Sequence, residues 1–102
     1  AAFGASCIRI AGTTNANPLH IPKDSELVTT LRRVYREETG TDPEPLAIGG
    51  GTYGRLLERG VAYGAMFPDS IDTMHQANEF IALDDLFRAT AIYADAMYEL
   101  LK

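Results

Sequence analysis

Cys7 is the sole cysteine among 102 residues, so no disulfide can close within the chain, and a reducing compartment is the straightforward expectation. Between Ser6 and Ile8 that thiol is expected as a small buried hydrophobe rather than a nucleophile. Positive charge is scarce as well. Nine Lys and Arg face 14 Asp and Glu, giving a net charge of −5 and a pI near 4.8. That balance excludes a nucleic-acid backbone or an anionic membrane surface as the expected partner, because nothing offsets phosphate repulsion. No apolar run is long enough to span a bilayer. There is no basic-then-apolar signal segment, no internal repeat and no low-complexity tract. The chain opens Ala1-Ala2-Phe3 without a methionine, as expected of a processed chain or a piece of something longer.

What is present is an ordinary soluble composition, 46% hydrophobic and 23% charged, for which one domain and a small or peptide-like ligand are expected. Its centre is Ile48 to Arg55, Ile-Gly-Gly-Gly-Thr-Tyr-Gly-Arg. An apolar run leads in and a short helical pattern leads out, so the stretch predicts strand, glycine turn and helix start. Backbone free of Cβ atoms can turn its N–H groups towards an anion. A tight connection that binds nothing is the equally simple reading of a glycine cluster alone.

Around this centre, Phe3 to Ile10 reads as a strand and Gly12 to Pro22 as a turn and extended connector. His20, in that connector, is expected to be a partly packed side chain, having no ligand-spaced partner. Asp24 or Ser25 caps a helix with Leu27, Leu31, Val34 and Tyr35 on one face, closed by Gly40. The mixed charges Arg32, Arg33, Arg36, Glu37 and Glu38 form its solvated side. Leu46 to Ile48 predicts a strand, Tyr53 to Arg59 a helix of about two turns capped by Thr52, and Val61 to Phe67 a second strand, together a β-α-β unit. A polar loop, Asp69 to Glu79, precedes a long helix from near Asp84, whose stripe of Leu86, Thr90, Tyr93, Met97 and Leu100 is expected in the core.

Two constellations can carry chemistry. His75, flanked by Asp72 and Glu79, has the side chain of a common metal ligand, with carboxylates able to orient it. One histidine is not a zinc site, and a loop histidine that merely hydrogen-bonds is the simpler local reading. The glycine turn also satisfies Gly-x-Gly-x-x-Gly at Gly49, Gly51 and Gly54, with Asp69 about twenty residues on, where a ribose-binding acid sits in dinucleotide folds. Against this, the crossover helix is short and too few strands follow. The phosphate-loop pattern is absent, since Arg55 stands near the lysine position and no serine or threonine follows.

The run Gly49 to Phe67, the motif Met74-His-Gln-Ala-Asn-Glu79 and the segment Ala91 to Leu101 together resemble the C-terminal end of PepV-type bacterial dipeptidases. These are zinc metallopeptidases grouped with the aminoacylases, carnosinases and succinyl-diaminopimelate desuccinylases. The resemblance runs from about Pro18 to Lys102. Ala77 stands where the broader group usually has proline, which favours the dipeptidase branch.

The resemblance implies an α/β fold: the C-terminal portion of a three-layer αβα catalytic domain at 19–102, preceded at 1–18 by the closing strand and exit of a lid domain. It implies a cytoplasmic dipeptidase, broad in specificity or acting on Xaa-His, that uses two zinc ions. His75 aligns with a zinc ligand, and Gly49, Gly50, Gly51 and Thr52 with the loop lining the substrate site. Asn78 and Glu79 stand behind the histidine. The group's His-x-Asp, bridging aspartate and paired glutamates are not in this chain, so the 102 residues alone are expected to be inactive. They are expected to self-associate, and to need the remainder of the catalytic and lid domains. A small dinucleotide-binding module and a non-catalytic interaction domain are the alternatives.

Overall fold

In the computed structural model, residue 9, residues 11–64 and residues 66–102 are described. Cys7 and the rest of the first expected strand, Arg9 apart, lie outside them.

Helix α1 spans Glu26–Thr39 and begins and ends where its local chemistry requires. The Ser25 hydroxyl accepts the Val28 N–H at 3.3 Å, satisfying one of the donors that a helix start leaves without a partner. At the other end Gly40 takes φ 74°, and its N–H returns to the Arg36 carbonyl at 2.9 Å. That left-handed turn is open to glycine and strained for residues with a Cβ. Val28, Leu31 and Val34 form the buried face, with Leu27 and Tyr35 packed beside them. Of this stripe only Val28 was not expected.

Helix α2, Leu83–Leu101, lies against α1. Its buried residues are Ala89, Ile92 and Ala96, one position, or about 100° of helix, away from the stripe expected in the core. Tyr93 belongs to both faces. Leu86, Thr90, Met97 and Leu100 are exposed. The reason is steric: α2 is apolar around much of its circumference, and the alanines present the smaller surface for α1 to approach. Larger side chains are left outside.

Phe67, 3% exposed, enters this interface from the connecting segment and stacks on Tyr35 with ring centroids 6.2 Å apart. Tyr63 lies tilted against Tyr93 at 5.9 Å. The Tyr63 hydroxyl donates to the Leu31 carbonyl and the Tyr93 hydroxyl to the Tyr63 carbonyl, each at 2.9 Å, so α1, the segment and α2 are joined in series. Arg33 adds an ion pair with Glu99 across the helices, so the charged side of α1 is not purely a solvated surface.

No strand forms among the described residues, which corrects the expected α/β layering and β-α-β unit. Leu46–Ile48 and residues 61–64 and 66–67 are irregular, and Leu46 is 89% exposed. A strand is stable only when its N–H and C=O groups meet a neighbour, and a pair of short apolar runs does not make a sheet without further strands. Between them the expected two-turn helix is a single 3-10 turn, Tyr53–Leu56, and Thr52 makes no side-chain cap. The Cα radius of gyration is 18.4 Å, against about 13 Å for a compact domain of similar length. Among the described residues the core is a helix pair with Phe67, Val61 and the tyrosines, and much apolar surface stays outside it.

Candidate functional site

The loop after Phe67 is built from local hydrogen bonds. Ser70 N–H closes a turn onto the Phe67 carbonyl at 2.9 Å, and the Ser70 hydroxyl accepts Phe67 N–H and donates to Asp85 at 2.7 Å. Arg88 extends the docking: its guanidinium lies 3.9 Å from the centre of the Phe67 ring and pairs with both Asp69 and Asp85 at 3.2 Å. The Arg88 hydrogen bond holds the Asp69 carboxyl below its ordinary range. Asp69 is thus committed to anchoring the loop on α2, and with no strands among the described residues it is not a ribose acceptor at a strand tip. Its expected partners fare no better: Gly49 and Gly51 remain exposed, and Gly54 packs near Leu19 and Thr52.

Beyond that anchor the chain forms a closed loop carrying His75, Asn78 and Glu79. Asp72 accepts Met74 N–H at 2.9 Å, and the Thr73 carbonyl accepts Gln76 N–H at 3.1 Å. Asp72 therefore shapes the backbone just before His75, instead of orienting its imidazole from the side. The Thr73 hydroxyl accepts Phe80 N–H at 3.1 Å and donates to Phe80 C=O at 3.2 Å, pinning the two ends of the loop together. His75 and Asn78 both adopt left-handed backbone, at φ 60° and 58°. The His75 imidazole is exposed at the head of this loop, and so are Asn78 and Glu79.

The glycine turn lies elsewhere on the surface. Gly49, Gly50 and Gly51 are exposed, and none has positive φ. A Cβ on Gly49 or Gly50 would meet nothing within 4 Å, so the chain itself gives no packing reason for glycine at either position. At Gly51 a Cβ would run into the Arg55 guanidinium, which folds back over the turn. Gly51, Thr52, Tyr53, Arg55 and Leu56 line one shallow depression, and Glu79 lines another with Thr73, Phe80 and Arg88. His75 lines neither, so these residues alone do not bring the glycine turn and the histidine into one cleft. His20 is exposed, not partly packed.

Among the described residues no group of three His, Cys, Asp or Glu is arranged to hold a metal ion. A zinc site draws on about three or four protein ligands. The described residues therefore do not assemble a zinc site by themselves. Among the described residues, no helix is long and apolar enough to cross a membrane.

Sequence reasoning missed Thr73 and Arg88. Thr73 carries no signal of its own, because its partner is seven residues away across the loop. Arg88 was legible only as a basic residue one turn after Asp84 and Asp85.

Comparison with known proteins agrees with the resemblance carried by the glycine and histidine motifs. The chain is 52% identical over 85 residues to the Beta-Ala-Xaa dipeptidase of Lactobacillus delbrueckii subsp. lactis, covering 83% of this chain and 18% of that protein. It is 51% identical over 86 residues to "Putative dipeptidase SSP1012" of Staphylococcus saprophyticus, covering 84% and 18%. With "Putative dipeptidase YtjP" of Bacillus subtilis the identity is 48% over 88 residues, covering 86% and 19%. The chain thus spans less than a fifth of the length of these relatives. Residues 6–99 match Peptidase family M20/M25/M40 and so take in both motifs, all of α1 and all but the last two residues of α2; the chain belongs to that family.

Proposed function

We propose that this chain is a segment of a zinc-dependent dipeptidase that hydrolyses dipeptides with a free N-terminus. The observation that carries the reading is the exposed His75, held at the head of a closed loop within a chain about half identical to proteins named as dipeptidases. In the whole enzyme, two zinc ions would supply Lewis-acid chemistry. This chain's share is narrower. His75 offers one imidazole to a metal site, while Asn78 and Glu79 complete the loop that presents it. The backbone of the exposed Gly49, Gly50 and Gly51 and of the half-buried Thr52 offers N–H groups to the substrate carboxylate, and a glycine without a Cβ lets that group come close. The remaining metal ligands and the general base come from parts of the catalytic domain beyond these residues. The enzyme works in the cytoplasm, and residues 1–18 lead out of its lid domain into the catalytic portion at 19–102.

Bringing the glycine turn and His75 to one cleft is, on this reading, the work of the remaining chain. The test compares the 102-residue chain with a longer polypeptide that contains it, each loaded with zinc and given a panel of dipeptides. The chain alone binds zinc weakly and releases no amino acids, and the longer polypeptide turns over dipeptides until a chelator is added. Chelator-sensitive turnover by the chain alone overturns the division of labour. A longer polypeptide that is folded, holds zinc and leaves every dipeptide intact overturns the dipeptidase reading.

A further inference from the structure

We propose that Thr73 is a positioning residue for His75, its hydroxyl acting as the clasp that keeps the 74–79 loop in the shape that presents the imidazole. The proposal rests on the reading of His75 as a metal ligand and adds a residue to which no role is otherwise attached.

The geometry is specific. A single hydroxyl serves both backbone groups of Phe80, accepting its N–H at 3.1 Å and donating to its C=O at 3.2 Å. This closes the loop as a rung of a ladder would, although no sheet forms among the described residues. Within the closure lie two residues with a Cβ in left-handed backbone, His75 at φ 60° and Asn78 at φ 58°. Such conformations are uncommon outside glycine, though Asn and His tolerate them better than most, and they persist only where the surroundings fix them. Here the surroundings are few. Met74, His75, Gln76, Ala77, Asn78, Glu79 and Phe80 are all exposed, so no packed core holds the loop. Its restraints are the Asp72 carboxylate on Met74 N–H, the Gln76 turn onto Thr73 C=O and the Thr73 clasp. Among the described residues, only the clasp ties the beginning of the loop to its end. A ligand donated from a mobile loop loses affinity to the entropy of ordering it, and a pre-shaped loop avoids that loss.

The experiment uses the full-length protein containing this chain and three variants: Thr73→Val, which keeps the shape and removes the hydroxyl; Thr73→Ser, which restores it; and His75→Ala. Zinc affinity is read by competition with a chromophoric chelator, and the clasp by hydrogen exchange of the Phe80 amide in the zinc-free protein. T73V should speed Phe80 exchange and weaken zinc binding by ~10–100-fold, as losses of supporting contacts around metal ligands do. T73S should return both to within about twofold of the parent, given its equivalent donor and acceptor. Far-ultraviolet circular dichroism of T73V should match the parent, since Thr73 is not among the residues that form the helix-pair core or pack against it. If H75A weakens zinc binding while T73V leaves it unchanged, Thr73 has no positioning role and the ligand assignment stands. If H75A leaves zinc binding unchanged, the ligand assignment itself fails and the role of Thr73 falls with it.

Discussion

The Tyr63 hydroxyl reaches across the core to donate to the Leu31 carbonyl of α1 at 2.9 Å. An N–H from within the helix already uses that carbonyl's axial direction, so the phenol occupies its second lone pair and fixes the height of the 61–67 segment on the helix pair. Burial, with Tyr35, Tyr93 and Asp95 nearby, pushes the Tyr63 phenol up to about 12, and burial raises Tyr93 as well.

Raised folded-state values make alkali the sensitive side. A phenol with an unfolded value near 10 and a folded value near 12 contributes stability that is complete below pH 10 and is lost as pH rises towards 12. Far-ultraviolet melts of the chain should therefore show helix stability falling across that window. Tyr63→Phe should be less stable at neutral pH, having left a partly buried carbonyl with one partner fewer, and its melting temperature should fall less steeply with alkali. A slope unchanged by Tyr63→Phe would show that another group governs the alkaline limb.

The caps of α1 give a second prediction with a magnitude. Ser25→Ala removes the acceptor for Val28 N–H and should cost about 1 kcal/mol. Gly40→Ala should cost roughly 1 kcal/mol for a reason unconnected with packing: an added Cβ meets nothing within 4 Å, but φ is 74°. Gly40→Asn, which tolerates left-handed backbone, should cost less than alanine. Urea titrations of the three variants check the order, and alanine at 40 proving better than asparagine would sink the argument.

Val34 offers a third. Among the described residues it is the one large side chain buried completely, at 0% exposure, and it shares the core cluster with the alanines of α2. Truncating it to alanine places small residues on both sides of the contact and should destabilise the helix pair by on the order of 2 kcal/mol. Val34→Ile tests the opposite fault, since Ala89 and Ala96 leave no slack and an added methylene forces strain. Both variants should lower the urea midpoint, and a gain with isoleucine would mean that the interface is looser than its burial implies.

These cases mark what was legible in the sequence. Helix α1 was readable to its caps because Ser25, Glu26 and Gly40 act within a turn of where they stand. The existence of α2 was readable, but its orientation was not, because Leu86, Met97 and Leu100 outweigh Ala89 and Ala96 in any apolar stripe. Small size, which decides the contact, is invisible to a hydrophobic pattern. The strands were misread for a different reason: Leu46–Ile48 and Val61–Phe67 carry the right residues, but pairing depends on neighbours that these residues do not provide. At the candidate site, His75 and the glycines were visible as residue types and motifs. The Thr73 clasp was not, being a contact between two loop positions with no periodicity.

The face of α2 left uncovered carries the last prediction. Leu83, Phe87, Met97, Tyr98 and Leu101 are 67%, 67%, 59%, 66% and 85% exposed, and Leu46, Leu56 and Tyr53 add further apolar surface. So much large apolar area on a small chain is costly to leave in water, and exposed contiguous patches drive association. The 102-residue chain, which spans about 18% of its relatives' length, should therefore sediment as a dimer or larger species at micromolar concentration. Phe87→Glu and Met97→Glu together should shift it towards monomer without loss of helix, because neither side chain is among the buried residues that hold α1 to α2. In a longer polypeptide that contains the chain, the same two substitutions should destabilise the fold, because there the face meets the rest of the domain. A parent chain that sediments as a compact, stable monomer would refute the prediction, and with it the claim that this face requires a partner.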